Sequence, residues 1–309
     1  MSELSLLNNY IFRANKNKDV ILPNGDDAAV MQIGNSLIAI TTDEIVEDRH
    51  FSLNYFLPNQ VGIKCVESAV SDLVATGAIP KGIVISLGLK KGTSEKLISE
   101  VYTGIFSSCQ RLNIELLGGD IVSTESKLEL TVTAIGLIES KEDILRRSGA
   151  RVGDLICITG DIGSSQAGLR AIQNNLDYPF IRLKHLEPNC RIDLVGKLKN
   201  VNSAIDISDG LSSEINHICR NSNCGAVIHS EKIPVNPDAC KIASTLGDNV
   251  LEYALNGGED YELLLTVSPE NYRKELGTII GEITAEKDVL IERNGEFSKL
   301  VPNGYDHLQ

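Results

Sequence analysis

Gly25-Asp26-Asp27-Ala28-Ala29-Val30-Met31-Gln32-Ile33-Gly34-Asn35-Ser36-Leu37-Ile38-Ala39-Ile40-Thr41-Thr42-Asp43 is the stretch from which the fold is read. Residues 28–33 and 36–42 are β-rich runs on either side of Gly34-Asn35. A two-residue link of this kind predicts a tight hairpin. Its turn pairs Ile33 with Ser36, and counting outward sets Asp27 opposite Thr42 and Asp26 opposite Asp43. Like charges facing each other across a sheet repel, and a cation between them removes the repulsion. Carboxylate and hydroxyl oxygens suit a hard ion such as Mg2+. A solvated acidic loop edge is the other reading of the hairpin alone.

Working outward, residues 4–14 read as a short amphipathic helix and Val20-Ile21-Leu22 as an apolar run before Pro23. Residues 59–76 are apolar at helical spacing, 82–89 form a strand and 93–112 a long amphipathic helix; strands follow at 113–118 and 127–138. This order favours a mixed or antiparallel sheet over a Rossmann sheet. The polar stretch Arg146-Arg147-Ser148-Gly149-Ala150-Arg151-Val152-Gly153-Asp154 marks a domain boundary near mid-chain. Beyond it come strands at 155–159, 203–207, 225–229 and 261–268, with helices at 164–174, 208–220 and 237–246. The expected class is α/β (α+β) in two domains, 1–140 and 141–309. A length of 309 residues agrees, at about 150 residues per domain.

Further acids fall at element ends or beside glycines. Asp72 lies late in the 59–76 helix among small and apolar neighbours, where a carboxylate needs a partner. Asp120 follows Gly118-Gly119 at a strand end; paired glycines let a backbone approach a phosphate, and they also make plain turns. Asp206 and Asp209 lie in Ala204-Ile205-Asp206-Ile207-Ser208-Asp209-Gly210-Leu211, a strand entering a helix. Helix N-termini take Asp as a cap and attract phosphate. Asn256-Gly257-Gly258-Glu259-Asp260-Tyr261 sets acids between a glycine turn and a strand.

Composition excludes several classes. Lys and Arg number 29 against 42 Asp and Glu, a net charge of −13. Such a chain is no general nucleic-acid binder and no ligand of anionic membranes. No run reaches the roughly 18–20 apolar residues of a membrane span, and no secretory signal is visible. Seven scattered cysteines without a C-x-x-C motif read as buried thiols in a reducing cytoplasm. P-loop, dinucleotide-binding, G-x-S-x-G and H-E-x-x-H motifs are all missing, and no two of the five histidines are spaced as a ligand pair.

Taken in order, the segments resemble the thiamine-monophosphate kinase family of the aminoimidazole-ribonucleotide-synthetase-like superfamily. The matching pieces are Gly25-Asp26-Asp27-Ala28-Ala29-Val30, Thr41-Thr42-Asp43 with Val46-Glu47 and His50-Phe51, and Ser71-Asp72-Leu73 with Gly77-Ala78. Gly118-Gly119-Asp120, Arg147-Ser148-Gly149-Ala150 and Gly153-Asp154 follow. The set closes with the Ala204–Leu211 segment, Gly257-Gly258-Glu259-Asp260-Tyr261-Glu262-Leu263 and Gly304-Tyr305-Asp306-His307.

The resemblance implies transfer of a phosphoryl group from ATP to thiamine monophosphate in a site holding several Mg2+ ions. It also implies a homodimer joined through the N-terminal sheet, with a C-terminal α/β domain closing over the ATP. By position, Asp27, Thr41, Thr42, Asp43, Asp72, Asp120, Asp206 and Asp209 are its metal shell. Gly119, Asp120, Arg147, Ser208 and Tyr102 are its nucleotide contacts, and His50, Glu259 and Tyr305 its substrate side. Ile121, Thr76, Asn256 and Arg49 depart from the family's usual residues, and none of these changes removes an acid. Another ATP-dependent enzyme of the superfamily and a non-catalytic cation-binding protein are the competing readings.

Overall fold

The computed structural model describes residues 17–125 and 127–304. The helix expected over 4–14 and the substrate position Tyr305 lie outside the described residues.

The hairpin forms as its turn dictates. Strands β2 (Ala29–Ile33) and β3 (Ser36–Val46) pair antiparallel with Ile33 opposite Ser36, Gly34 supplying the positive φ of 60° that the turn needs. The pairing ends at Ala29 and Ile40, so Asp26 and Asp27 do not complete the expected cross-strand pairs. β3 instead runs on to Val46 against β6 (Glu129–Ile138). Together with β1 (Val20–Leu22), β4 (Ile79–Lys90) and β5 (Glu115–Thr124), these strands form a six-stranded sheet in the order β1-β2-β3-β6-β4-β5. Only β4 and β5 are parallel, joined by helix α2 (Glu95–Leu112). The sheet is mixed, as the element order predicted.

β5 differs from expectation. Gly118-Gly119-Asp120 does not end the strand but lies inside it, at the sheet's edge. A Cβ on Gly119 would lie 2.0 Å from the Ile85 carbonyl oxygen of β4, so close strand packing already requires that glycine.

Helix α1 (Pro58–Ala75) is buried at 14 of its 18 positions. Val66, Ala69, Val70 and Leu73 belong to the core of the N-terminal sheet, which also takes in Cys157, Leu263 and Leu265 of the C-terminal half. α1 therefore has no solvated face, and its polar residues must find partners in the protein. Gln60 Nε2 donates to Glu187 Oε1 at 2.8 Å, and Ser71 Oγ to Asp206 Oδ2 at 2.6 Å. These bonds tie the halves of the chain together.

The C-terminal half is a seven-stranded sheet, order β13-β12-β9-β11-β7-β10-β8. Its strands are β7 (Leu155–Ile158), β8 (Ser203–Asp206), β9 (Gly225–His229), β10 (Leu263–Val267), β11 (Thr278–Thr284), β12 (Val289–Arg293) and β13 (Glu296–Lys299). Helices α3 (Ser164–Gln173), α4 (Pro179–Leu186), α5 (Leu211–Ser222), α6 (Pro237–Leu246) and α7 (Val250–Asn256) accompany it. All pairs are antiparallel except β9 with β12.

Candidate active site

The end of β8 and the glycine turn after α7 are joined by backbone hydrogen bonds. Glu259 N–H donates to the Ser208 carbonyl at 2.8 Å, Tyr261 N–H to Ile207 at 3.0 Å, and Ile207 N–H to Glu262 at 2.7 Å. Gly258 permits this approach, because a Cβ there would lie 2.1 Å from the Ser208 carbonyl oxygen. Glu259 and Tyr261 take positive φ values of 65° and 53°. Non-glycine residues rarely adopt that conformation, and where they do the surroundings impose it. Two segments 50 residues apart in sequence thus form one wall.

That wall, α1 and β3 enclose a cavity of about 500 Å3. Of the residues singled out from sequence, Asp43, Asp72, Asp206 and Asp209 line it, as do Ser208, His50 and Glu259. Asp27, Asp72 and Asp206 each offer a carboxylate oxygen within 4.8 Å of the others. The elements explain the convergence: Asp72 comes from α1, Asp206 from the end of β8 and Asp27 from the bend before β2.

The cluster is held from outside by hydroxyls and one guanidinium. Thr41 Oγ1 donates to Asp72 Oδ2 at 2.6 Å, and Ser71 Oγ to Asp206. Arg147 donates to Asp27 Oδ1 through Nε at 2.9 Å and Nη2 at 2.6 Å. Asp27 Oδ2 is buried without a hydrogen-bond partner. Burial pushes Asp27 up to about 7 although Arg147 opposes it. Burial, then the neighbouring Asp206 and Asp27 charges, holds Asp72 well above the usual carboxylate range. Asp206 is raised by burial against the hydrogen bond from Ser71. Buried carboxylates this close with a single guanidinium among them are short of positive charge.

Other expected residues are placed elsewhere. Thr42 points to the opposite face of β3 from Thr41, its Oγ1 3.3 Å from Thr133 Oγ1. Asp120 and Gly119 lie on exposed β5, with β6 and β4 between them and β3. Tyr102 is half-buried on α2 beside Phe106, outside the residues that line the cavity. Arg147, expected to meet phosphate, meets Asp27 instead.

Sequence reasoning missed a second buried cluster on the same cavity. Lys64 Nζ on α1 is 2.6 Å from Glu259 Oε1, and His185 Nδ1 on α4 is 3.4 Å from Glu259 Oε2. Burial would raise Glu259, but Lys64 outweighs it and holds the carboxyl below its usual range. Burial and then Lys64 press His185 down to about 3, so its imidazole is neutral near pH 7. A lysine inside an apolar helical pattern was the available signal; the same argument had been applied to Asp72. Glu214, whose Oε1 accepts from the Asp209 N–H at 3.0 Å, was also missed.

Known proteins share this fold. The family model for the AIR synthase related protein N-terminal domain matches residues 25–138, and that for its C-terminal domain residues 151–292. The fold is thus that of the AIR synthase related proteins. The thiamine-monophosphate kinase of Buchnera aphidicola subsp. Schizaphis graminum is 38% identical over 95% of this chain and 94% of its own. That of Bacillus subtilis is 33% identical over the full length of both. The chain belongs to the thiamine-monophosphate kinase family. The solved structure described as AaThiL complexed with AMPPCP and TMP superposes with a TM-score of 0.89 at 32% identity, covering 99% of this chain and 97% of that one. E. coli HypE shares the fold, with a TM-score of 0.70 at 20% identity.

Proposed function

We propose that this chain transfers the terminal phosphoryl group of ATP to thiamine monophosphate, giving ADP and thiamine diphosphate. The observation that carries this reading is the buried Asp27, Asp72 and Asp206 cluster on a cavity in a member of this family. Relatives bear the name of the reaction, and the AaThiL structure holds an ATP analogue with TMP.

The cluster fits a divalent cation. It is all oxygen, it is short of positive charge, and Asp27 Oδ2 is an orphaned buried acceptor. Mg2+ would be held by Asp27, Asp72 and Asp206, with Asp43 and Asp209 on the same cavity. When bound, it neutralises polyphosphate charge that this acidic site would otherwise repel. Ser208 and Asp209 precede α5, whose N-terminus favours phosphate. Arg147, bound to Asp27 through two hydrogen bonds, braces that carboxylate beside the ion. The nucleophile is an oxygen of the substrate's own phosphate, ionised near neutral pH, so no side chain need take its proton. The work left to the protein is positioning and charge neutralisation.

The reading includes a homodimer in a cytoplasmic protein. Val84 and Leu137 on the outer face of the N-terminal sheet, and Leu117, Ile121 and Val122 on edge strand β5, are large exposed apolar residues, a pattern that marks interaction surfaces. Six of the seven cysteines are buried free thiols, in keeping with a reducing compartment. No helix among the described residues is long and apolar enough to cross a membrane.

The test is chromatographic conversion of thiamine monophosphate to the diphosphate with ATP and Mg2+, with EDTA and free thiamine as controls. Product that requires both the monophosphate and the metal supports the reading. A folded, ATP-binding protein that makes none overturns it.

A further inference from the structure

Lys64 is fully buried on α1, and its Nζ has no hydrogen-bond partner among the described residues apart from the ion pair with Glu259. It also lies 5.3 Å from the centroid of the Phe56 ring, and that ring packs edge-on to His185 at 5.5 Å. A buried lysine is costly. This one is aimed at a single carboxylate oxygen on a residue whose backbone is already in a rare conformation. Glu259 Oε2 faces His185 Nδ1, which also lies 3.1 Å from Ser165 Oγ. His185 Nε2 is buried without a partner. Glu259 and His185 both line the cavity, next to Tyr55 and Gln166.

We propose that Lys64 is a positioning residue for substrate selection: it fixes the Glu259 carboxylate with one oxygen committed and the other turned to a neutral N–H donor on the acceptor. The inference rests on the proposed function, in which the acceptor carries a ring amino group. Glu259 already has its counter-ion, so it reads a hydrogen-bond donor and not a positive charge. His185, neutral and anchored through Nδ1, closes the far side of Glu259 and limits which way its second oxygen turns.

Steady-state kinetics of Lys64→Met, Lys64→Arg, Glu259→Gln and Lys64→Met/Glu259→Gln test the proposal in the full-length protein. Lys64→Met should raise KM for thiamine monophosphate about 10- to 100-fold. KM for ATP should stay unchanged and kcat within about threefold. Lys64→Arg should recover part of the loss. The double variant removes both charges together, which keeps the fold safe from an unpaired buried ion, and should bind no worse than Glu259→Gln alone. An acceptor with oxo in place of the ring amino group should be rejected by the wild type and tolerated by the double variant. Unchanged KM in Lys64→Met, parallel loss of kcat and both KM values, or additive effects in the double variant would each overturn the role given to Lys64. No turnover of thiamine monophosphate by the wild type would overturn the proposed function as well.

Discussion

Two buried polar clusters face one cavity, and they solve the problem of buried charge in opposite ways. At one end Asp27, Asp72 and Asp206 crowd together with Arg147 as their nearest cation. At the other, Glu259 is matched by Lys64 and flanked by a neutral histidine. The carboxylates of the first are raised, while Glu259 is lowered. The first end is short of positive charge, with Asp27 Oδ2 unsatisfied; the second pairs its carboxylate with a lysine, while Lys64 Nζ and His185 Nε2 make no hydrogen bond among the described residues. Under the proposed function, the difference separates a place that would recruit a metal–phosphate charge from one that would read the shape and hydrogen bonding of an organic group.

Neutralising one acid at each end breaks the comparison most directly. Asp72→Asn should reduce kcat about 10^3-fold, the scale for removing a transition-state electrostatic contact. Without metal it should not cost stability, because it relieves repulsion and the amide oxygen still accepts from Thr41. A rise of about 2–8 °C in Tm is expected, from roughly 1–2 kcal/mol at about 2–4 °C per kcal/mol. Wild-type-like turnover in this variant would sink the metal-shell assignment.

Glu259→Gln removes a charge of the same sign and should have the opposite effect on stability. It strands Lys64 in a buried site, a loss of about 3–5 kcal/mol for breaking a buried pair. Thermal denaturation should show a Tm lower by about 6 °C or more. If both variants shift Tm in the same direction, the two ends do not differ in the way described.

Much of this was legible before any coordinates. The hairpin register came from Gly34-Asn35 alone, and the acids at 43, 72, 206 and 209 do meet at one cavity. Local turn chemistry and glycine-flanked acids are short-range signals, and they survive in sequence. What was not legible depends on packing between distant segments. The expected Asp26–Asp43 pair failed because the chain bends at Gly25 and distant Arg147 holds both aspartates, Asp26 through its backbone N–H and Asp27 through its guanidinium. Lys64 was passed over because α1 reads as a one-sided apolar helix, whereas it is covered on both sides. The β5 glycines read as a turn because nothing in sequence reveals that Gly119 lies against the Ile85 carbonyl.

The pH response sharpens the contrast. Asp27 moves from 3.8 to about 7 on folding, so the folded state binds more protons in that window. Its contribution is full below about 3.8 and is lost as pH rises through 7. Glu259 and His185 work the other way. Glu259 is depressed below 4.5, so its contribution is present above that value and is lost as pH falls through its lower folded value. His185 falls from 6.5 to about 3, so its contribution is present above 6.5 and is lost as pH falls from there toward 3. Mg2+ competes with protons only at the aspartates. The Mg2+-induced rise in Tm should therefore be several degrees at pH 8 and much smaller at pH 5.5; at 100 times Kd one site adds about 2.7 kcal/mol. A Mg2+ effect equal at both pH values would place the ion away from Asp27, Asp72 and Asp206.

The smallest expected effect separates two serines on one helix. Ser68 and Ser71 are both buried on α1. Ser68 Oγ lies 3.3 Å from the Cys65 carbonyl oxygen and donates to it within its own helix, so Ser68→Ala should change stability by no more than about 0.5 kcal/mol. Ser71 Oγ donates to Asp206 Oδ2 across the seam between the two halves. Hydrogen bonds to charged groups contribute about 1.5–3 kcal/mol, so Ser71→Ala should lower Tm by about 3–12 °C without metal. The loss should shrink when Mg2+ is present, because a cation on Asp206 takes over part of what the hydroxyl did. A loss that Mg2+ leaves unchanged would mean that Ser71 acts only as a bridge between domains and that Asp206 holds no ion.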